Sequence, residues 1–392
     1  MKTLNASVPR LAQRWLGAVA LVLGSGAAAA AQAPAGAARA PGVETASAQL
    51  MARAEAQAAQ AGVQPGKPAP CPHKHQHGLR YSVQRLPVPS GLHANLTAIN
   101  NHGWVVGSSH TSAGARPMLW IGGVAYYLDS AAGPGGAAYN INDAGQIVGT
   151  YANAEGRWRA FSWYRGKLTT LRNLASETDA YAQAQGINRH GIISGASGQP
   201  NAPITRAVHW HKGVPRPLAS LGGNHSFAYR INDLGYSVGV SNEPDLTVHA
   251  ALWTPKGEIV DLGADAEALD INNKGRIVGF AGLGIYPKPA KWHQGIRTVL
   301  PTLGGVTGKV YGINEQDEAV GYSQTALGLE RATIWFGAKP VQLDTLLDEA
   351  NQGITIDAAY AINDKGQIAA IERMPSGQAL PLLLTPRRCQ GK

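Results

Sequence analysis

The pair Ile-Asn recurs seven times between residues 99 and 363, and this repetition constrains the fold more than any other feature of the chain. Successive copies lie 40 to 49 residues apart, which is the period of a repeat architecture in which each unit packs on its neighbours. The isoleucines of the seven copies are Ile99, Ile141, Ile187, Ile231, Ile271, Ile313 and Ile362.

Three further residues recur at fixed distances from each Ile-Asn pair. A glycine stands four residues after the isoleucine in six copies, with Asp317 as the exception, and another stands eight residues after it, with Ala370 as the exception. A tryptophan follows 21 to 23 residues after the isoleucine in six copies. These tryptophans are Trp120, Trp163, Trp210, Trp253, Trp292 and Trp335.

One copy contains the pattern of four short strands. The segment 137–142 predicts a strand, the following Asn-Asp-Ala-Gly predicts a hairpin turn with a left-handed glycine, and 146–150 predicts a second strand. The segment ending at Trp163 predicts a third strand, and Gly166 begins the hairpin to a fourth. We therefore predict an all-β fold over residues 79–388, a seven-bladed β-propeller of four-stranded antiparallel blades.

The two ends of the repeat region favour a ring. The seventh copy ends after three strands, and the first is preceded by an orphan strand, 79–87, so joining them completes the last blade and removes two exposed sheet edges. The chain has two cysteines, Cys71 before the orphan strand and Cys389 after the last copy. In an exported protein this number favours a disulfide across the seam; two free or intermolecular thiols are the alternative.

The segment before the repeats predicts export. Residues 1–31 have basic residues, an apolar stretch too short to span a bilayer and a closing alanine run, the layout of a signal peptide. Residues 32–78 are rich in Ala, Pro and Gly and predict a flexible tether. We expect the mature protein in the periplasm or outside the cell, as a monomer without a membrane span.

The net charge of the chain limits the classes of partner that it can bind. Loss of three cations with the signal peptide lowers the formal net charge of +9 to +6, and no dense basic run marks a nucleic-acid binder. An anionic glycan or an envelope protein is a compatible partner. We expect no cofactor.

Written out, a copy such as residues 227–263 resembles the HAF repeat family of extracellular bacterial proteins. The half Ile-Asn-Asp-x-Gly-x-Ile-Val-Gly matches best at Ile141, Ile231 and Ile362, whereas the tripeptide half is degenerate and closest at His249. The resemblance covers residues 80 to 386. It implies export and a β-propeller-like fold, and it implies no chemistry.

Six copies carry a basic residue four positions before the tryptophan. One hypothesis is a ring of positive charge that binds an anion; the other, which we favour, is that each cation packs within its own blade. These residues are Arg116, Arg159, Arg206, His249, Lys288 and Arg331.

Two other polar patterns offer ligand groups. His73, His75 and His77 alternate in the tether and have the chemistry to hold copper, zinc or nickel, although no further histidine completes the site. The repeated Asn residues, with Asp143, Asp233 and Asp364 beside them, have oxygen atoms for sugars or calcium; one Asp per turn is few for calcium, so turn formation is the better interpretation.

We expect a non-enzymatic exported propeller that binds a cell-envelope glycan or a protein. The alternative is a polysaccharide hydrolase or lyase that uses acids departing from the repeat, and a metal-handling protein comes third. No nucleophile elbow, HExxH or phosphate-binding glycine loop occurs. The departing acids are Asp317, Glu318, Glu177, Asp179, Asp265, Glu267, Asp348 and Glu349.

Overall fold

The computed structural model describes residues 78–89, 93–111, 114–128, 135–174, 181–198, 204–374 and 378–388. Its strands form seven separate four-stranded antiparallel sheets, so the chain is a seven-bladed β-propeller, as the repeats predict. The predicted signal peptide, the tether with its three histidines, and both cysteines lie outside the described residues, and these predictions remain predictions.

Blades 1 to 6 each use four consecutive strands, the first innermost. Blade 1 contains β2 (Ala94–Ile99), β3 (Val105–Thr111), β4 (Gly114–Ile121) and β5 (Val124–Tyr127). Blade 2 contains β6 (Gly136–Ile141), β7 (Ile147–Ala152), β8 (Trp158–Tyr164) and β9 (Lys167–Thr170). Blade 3 contains β10 (Tyr181–Ile187), β11 (Ile193–Gly198), β12 (Thr205–His211) and β13 (Val214–Pro217).

The second half repeats this order. Blade 4 contains β14 (Ser226–Ile231), β15 (Ser237–Asn242), β16 (Val248–Trp253) and β17 (Ile259–Ala264). Blade 5 contains β18 (Ala266–Ile271), β19 (Ile277–Ala281), β20 (Lys288–His293) and β21 (Ile296–Val299). Blade 6 contains β22 (Gly304–Ile313), β23 (Glu318–Thr325), β24 (Glu330–Phe336) and β25 (Lys339–Gln342).

Blade 7 combines both ends of the described chain. Its inner strands are β26 (Ile356–Ile362), β27 (Ile368–Arg373) and β28 (Ala379–Arg388), and its outer strand is β1 (Leu79–Arg85), which pairs antiparallel with β28. Between blades 6 and 7 the chain makes two 3-10 turns, Leu343–Leu346 and Glu349–Asn351. None of the described residues forms a helix with the length and apolarity needed to cross a membrane.

The core lies between the blades. Seven clusters of buried apolar side chains occur, one at each junction of neighbouring blades, including the junction of blades 7 and 1. The six repeated tryptophans are fully buried in them, and in blade 7 Leu384 takes the place of the ring. Each blade therefore buries apolar surface on both neighbours, which is the main stabilising term for the fold.

The indole N–H of the tryptophan ties its blade to the preceding one. Trp253 Nε1 donates to the carbonyl of Ala219, which follows the outer strand of blade 3, at 2.7 Å. Trp120 makes the matching bond to Pro87, just after β1, at 2.8 Å. Trp210, Trp292 and Trp335 donate in the same way to Arg172, Leu262 and Pro301. The tryptophan is therefore a contact between blades as well as a core residue.

The repeated asparagine ties its blade to the following one. Its Oδ1 accepts the backbone N–H groups two and four residues later, as Asn232 does from Leu234 and Tyr236, which fixes the hairpin turn. Its Nδ2 donates to the carbonyl of the equivalent asparagine in the next blade at 2.9 to 3.2 Å, in all seven blades. The seventh of these bonds, from Asn363 to Asn100, joins blade 7 to blade 1. We call this set the asparagine ring.

The two repeated positions require glycine for different physical reasons. The first has a positive φ of 71° to 85° in six blades, and Asp317 takes the same left-handed conformation at φ 61° in blade 6. The second lies where a side chain has no room: a Cβ built on Gly239 falls 1.9 Å from the carbonyl oxygen of Phe227. In blade 7, Ala370 occupies this position.

Replacing Asn232 tests the asparagine ring. Asn232→Ala removes one bond between blades and leaves buried polar groups unpaired, so we expect a loss of about 2 to 4 kcal/mol of unfolding free energy, measured by urea denaturation. Asn232→Asp retains the turn acceptor and loses only the donor, and we expect it to be destabilised as well. Asn153→Ala is the control, because the described side-chain contact of Asn153, in which Oδ1 accepts the N–H of Arg157, lies within one turn of blade 2. Equal losses in Asn153→Ala and Asn232→Ala would show that the ring adds nothing.

Replacing Gly239 tests the close approach of the two inner strands. Gly239→Ala places its Cβ against a backbone carbonyl that cannot move alone, so we expect the free energy of unfolding to fall by about 3 kcal/mol or more. Gly284→Ala is the control, because a Cβ there has no neighbour within 4 Å. Calorimetric melting temperatures of the two variants compare them directly, and a Gly239→Ala protein as stable as the wild type would contradict the interpretation.

Candidate functional site: the central channel

The innermost strands of the seven blades surround the axis of the propeller, and we call the space between them the channel. Each of these strands carries a β-bulge at the same place. The register shifts two residues before the signature isoleucine in every blade, for example between Ala228 and Arg230. A bulge leaves one extra residue unpaired and re-aims its side chain. The extra residues are Thr97, Tyr139, Gln185, Tyr229, Leu269, Tyr311 and Tyr360.

At the end of the channel where the inner hairpins lie, a cavity of about 440 Å³ opens, which we call the vestibule. All seven blades contribute to its wall through the last residues of their inner strands and the turns that follow. Its lining is mainly polar, with Asn, Asp and Arg side chains around the mouth and Tyr311 and Tyr360 deeper. The volume fits a small polar ligand.

The polar groups at the mouth are hydrogen-bonded to one another. At six of the seven junctions, the residue after the signature asparagine receives the backbone N–H of its counterpart in the preceding blade, as Asp143 does from Asn101 at 2.8 Å. Arg189 occupies this position in blade 3. Asp143, Asp233 and Asp364, whose oxygen atoms could also hold calcium, thus accept backbone N–H groups and join blades.

Arg230 lines the vestibule and connects three blades. Its guanidinium reaches out of blade 4 and donates to the carbonyl of Gln185 in blade 3 at 2.8 Å and to that of Thr97 in blade 1 at 2.9 Å. The carboxylate of Asp270 in blade 5 attracts it and accepts the N–H groups of Ile271 and Ile313. Burial raises the pKa of Asp270 to about 6, and the Arg230 charge opposes that rise.

A second ionisable cluster lies farther along the inner strands of blades 4 to 6. The buried Glu267 carboxyl hydrogen-bonds Tyr229 and faces the charge of Lys309. Burial raises the pKa of Glu267 to about 7, against the opposing effects of Lys309 and Tyr229, and burial lowers the pKa of Lys309. The Lys309 ammonium lies 3.9 Å from the centre of the Phe280 ring. Groups that titrate near neutrality can exchange protons with a ligand.

Sequence reasoning found one residue of these two clusters, Glu267, and missed Tyr229, Arg230, Asp270 and Lys309. A signal was present. The position before the signature isoleucine is uncharged in five copies, and only blades 4 and 5 carry a charge there, of opposite sign in adjacent blades. Comparing the copies position by position would have found the pair.

The six basic residues named from the sequence occupy one register position, near the start of the third strand of each blade. The Arg116 guanidinium lies 4.0 Å from the centre of the Tyr127 ring, and Arg206 donates to the Gly223 carbonyl at 2.8 Å. Arg331 donates to the Glu330 carbonyl, and Arg159 and His249 are buried. Arg116 and Lys288 are exposed. A shared anion-binding role for the six stays a prediction.

The acids proposed for catalysis are dispersed. Asp265 accepts the N–H of Leu283, Glu318 accepts from Asn314, and Asp317 accepts from Asn272. Asp348 precedes the second 3-10 turn and Glu349 is its first residue. Glu177 and Asp179 lie outside the described residues.

Comparison with known proteins supports the fold alone. No protein-family model matches the sequence, and no curated protein matches it, so the resemblance to HAF repeats remains a prediction. A puromycin-hydrolysing peptidase of Mycobacterium tuberculosis is similar in structure, with 13% identity and a TM-score of 0.51 over 81% of this chain and 57% of that one. The propeller domain of the trilobed protease of Pyrococcus furiosus matches at 12% identity and a TM-score of 0.47, over 76% of this chain and 98% of that one. This chain thus spans little more than half of the first protein.

The pH dependence of stability tests the Glu267 environment. The folded state keeps the Glu267 proton up to a pKa of about 7, whereas the unfolded state releases it near the ordinary value of 4.5. The folded state therefore binds more protons in this window, and its stability falls as pH rises from about 4.5 to 7, by about 3 kcal/mol from this residue.

Glu267→Gln removes this titration. We expect the wild type to lose stability relative to Glu267→Gln across that window, with no further change above pH 8, measured as the difference in urea midpoints. Asp270 titrates in both proteins, so its contribution cancels in the difference between their urea midpoints. The exposed Glu155→Gln is the control and should leave the wild-type slope unchanged. Parallel pH profiles of wild type and Glu267→Gln would contradict the burial argument.

Proposed function

We propose that this chain is an exported, non-enzymatic β-propeller that binds a cell-envelope partner, and that the partner is a protein. The observation that carries the proposal is a patch of exposed apolar side chains on one face of the propeller. Five large apolar residues of blades 5 and 6 form it: Ile285, Tyr286, Val306, Leu327 and Leu329. We call it the apolar patch. Contiguous exposed apolar surface is typical of protein-binding sites.

The patch belongs to the face opposite the vestibule, formed by the loops from second to third strands and from outer strands to the next blade. The blade 5 loop contacts blade 6: the N–H of Gly308, in β22, donates to the carbonyl of Pro287 at 2.8 Å. Gln324 fixes the blade 6 loop: its side chain accepts from Val306 N–H and donates to the Gly328 carbonyl. Leu327 and Ile285 are 86% and 82% exposed on this framework.

The described chain begins on the face opposite the apolar patch. Gly78 precedes β1, and the start of β1 pairs with Arg388, at the end of the strand that runs toward the hairpin face. The preceding residues therefore join the propeller on the side of the vestibule. A propeller held there presents its apolar patch away from the attachment point.

The state of the described acids supports binding over catalysis. Asp265, Asp317 and Glu318 are hydrogen-bonded to neighbouring loop or hairpin groups, which gives them a structural task. The alternative of a polysaccharide hydrolase or lyase needs two carboxyl groups that face one substrate. An envelope glycan is the second binding candidate, and the polar vestibule favours it, since sugar hydroxyls pair with amide and carboxylate groups.

The test is binding of the mature protein to bacterial envelope fractions, with Ile285→Ser and Leu327→Ser. Each substitution removes an aliphatic contact of about 1.5 to 3 kcal/mol, so we expect each to weaken capture of an envelope protein about tenfold or more, measured by biolayer interferometry. Ile296→Ser is the matched control, because Ile296 is 71% exposed in a hairpin on the opposite face.

Other outcomes decide between the alternatives. Binding to purified envelope glycan that is unaffected by both patch variants would replace the protein partner by the glycan. Depolymerisation of a polysaccharide by the wild type, lost in Glu267→Gln, would overturn the non-enzymatic proposal. Capture that is equally strong in all three serine variants would rule out the apolar patch.

A further inference from the structure

Blade 4 brings a histidine and two carboxylates together at one point. His249 Nδ1 lies 2.9 Å from Asp261 Oδ1, and His249 Nε2 lies 3.9 Å from Glu243 Oε1. One ligand atom from each of the three residues falls within 4.8 Å of the others. The imidazole is mostly buried, with 11% of its side chain exposed, whereas Glu243 and Asp261 are 43% and 42% exposed.

The other blades serve as internal controls for this cluster. Strand pairing aligns the copies residue by residue. At the Asp261 position, blades 1, 2, 3, 5 and 6 have Tyr127, Thr170, Pro217, Val299 and Gln342. Twelve residues after the signature isoleucine, where blade 4 has Glu243, the sequence has Thr111, Asn153, Gln199, Leu283 and Thr325, of which Gln199 lies outside the described residues. At the His249 position they have Arg or Lys.

None of those alternatives is a histidine, cysteine or carboxylate. The fold therefore requires no such side chain at any of the three positions, because five blades are built without one. Three departures from the repeat that converge on one point in a single blade indicate a role outside the fold. In blade 1, by contrast, the same pair of positions holds Arg116 stacked on Tyr127, a packing contact.

We infer that blade 4 carries a site for a divalent transition metal such as zinc, bound by His249 Nε2 and Glu243 and completed by water. Asp261 acts as a positioning residue. Its Oδ1 receives the Nδ1–H of the imidazole and is itself fixed by the N–H of Gly263 at 2.7 Å, which leaves Nε2 free to bind metal. A carboxylate behind a ligating histidine is a common support of metal sites.

The geometry is close to what zinc needs. Two ligand atoms about 2.0 to 2.1 Å from a tetrahedral zinc ion lie about 3.3 Å apart. The separation of 3.9 Å between Nε2 and Glu243 Oε1 therefore closes with a small rotation of the half-exposed Glu243 side chain. Imidazole nitrogen with carboxylate oxygen selects transition metals over Ca²⁺, which prefers oxygen ligands alone.

The test must separate this site from the histidines of the tether. The background is the mature chain with His73, His75 and His77 replaced by Ala. We expect it to bind one Zn²⁺ per chain by isothermal titration calorimetry, and Zn²⁺ to raise its melting temperature. Ca²⁺ at the same concentrations should do neither. Because the tether has the same sequence in every variant, any Zn²⁺ binding by its remaining groups contributes equally and cancels when the variants are compared.

Three substitutions in that background probe the site. We expect His249→Gln to abolish Zn²⁺ binding, Glu243→Gln to weaken the affinity for Zn²⁺ tenfold or more, and Asp261→Asn to weaken it 10- to 100-fold. The exposed Glu258→Gln in the same blade is the control and should bind Zn²⁺ as the background does. Circular dichroism melts without metal confirm that each variant is folded.

Three results would overturn the inference. The background could bind no Zn²⁺, which would make the cluster an ion pair alone. Glu243→Gln could bind as tightly as the background, which would place the metal elsewhere. Ca²⁺ could bind as tightly as Zn²⁺, which would show that the carboxylates bind cations without the imidazole.

Discussion

A hydrogen bond from one asparagine side chain to the next blade's main chain, repeated seven times, is the contact on which the rest of the propeller depends. Each Nδ2 donor is buried, and its acceptor exists only when the neighbouring blade is in place. An unpaired buried donor is costly, so each blade is stable only beside its neighbours. The bond from Asn363 to Asn100 joins the last blade to the first, so every blade has such a bond to a neighbour on each side. The same residue also fixes the hairpin turn, which explains why it is present in all seven copies.

The fold could be predicted because the residues that recur are the ones that join blades. Trp253 reaches back to blade 3, Asn232 reaches forward to blade 5, and Gly239 allows the close approach of two strands within blade 4. All three are visible as fixed spacings. The contacts between blades were not predicted. The spacing indicates turn formation for the Asn and gives no partner for the Trp, because a spacing says that a residue is required and not what it touches.

The channel could not be predicted in this way, since its chemistry comes from positions that differ between copies. Arg230 and the Thr97 carbonyl are 133 residues apart in sequence and meet only because blades 1 and 4 face each other across the channel. The pKa of Glu267 depends on a tyrosine from the preceding blade and a lysine from the following one. No local pattern contains such a set. A position-by-position comparison of the copies, however, marks each member as an exception.

These exceptions are not evenly distributed. The channel-crossing Arg230, the buried Glu267 with Lys309, the histidine–carboxylate cluster at His249 and the apolar patch all belong to blades 4 to 6. A closed ring needs its junction contacts in every blade, so those positions cannot vary, whereas the inner-strand positions and loop tips are free to do so. A ligand site needs different side chains around one point, and a symmetric ring supplies identical ones. Departure from the repeat on neighbouring blades is therefore the way a propeller acquires a site, and in this protein it places the chemistry on one side of the ring.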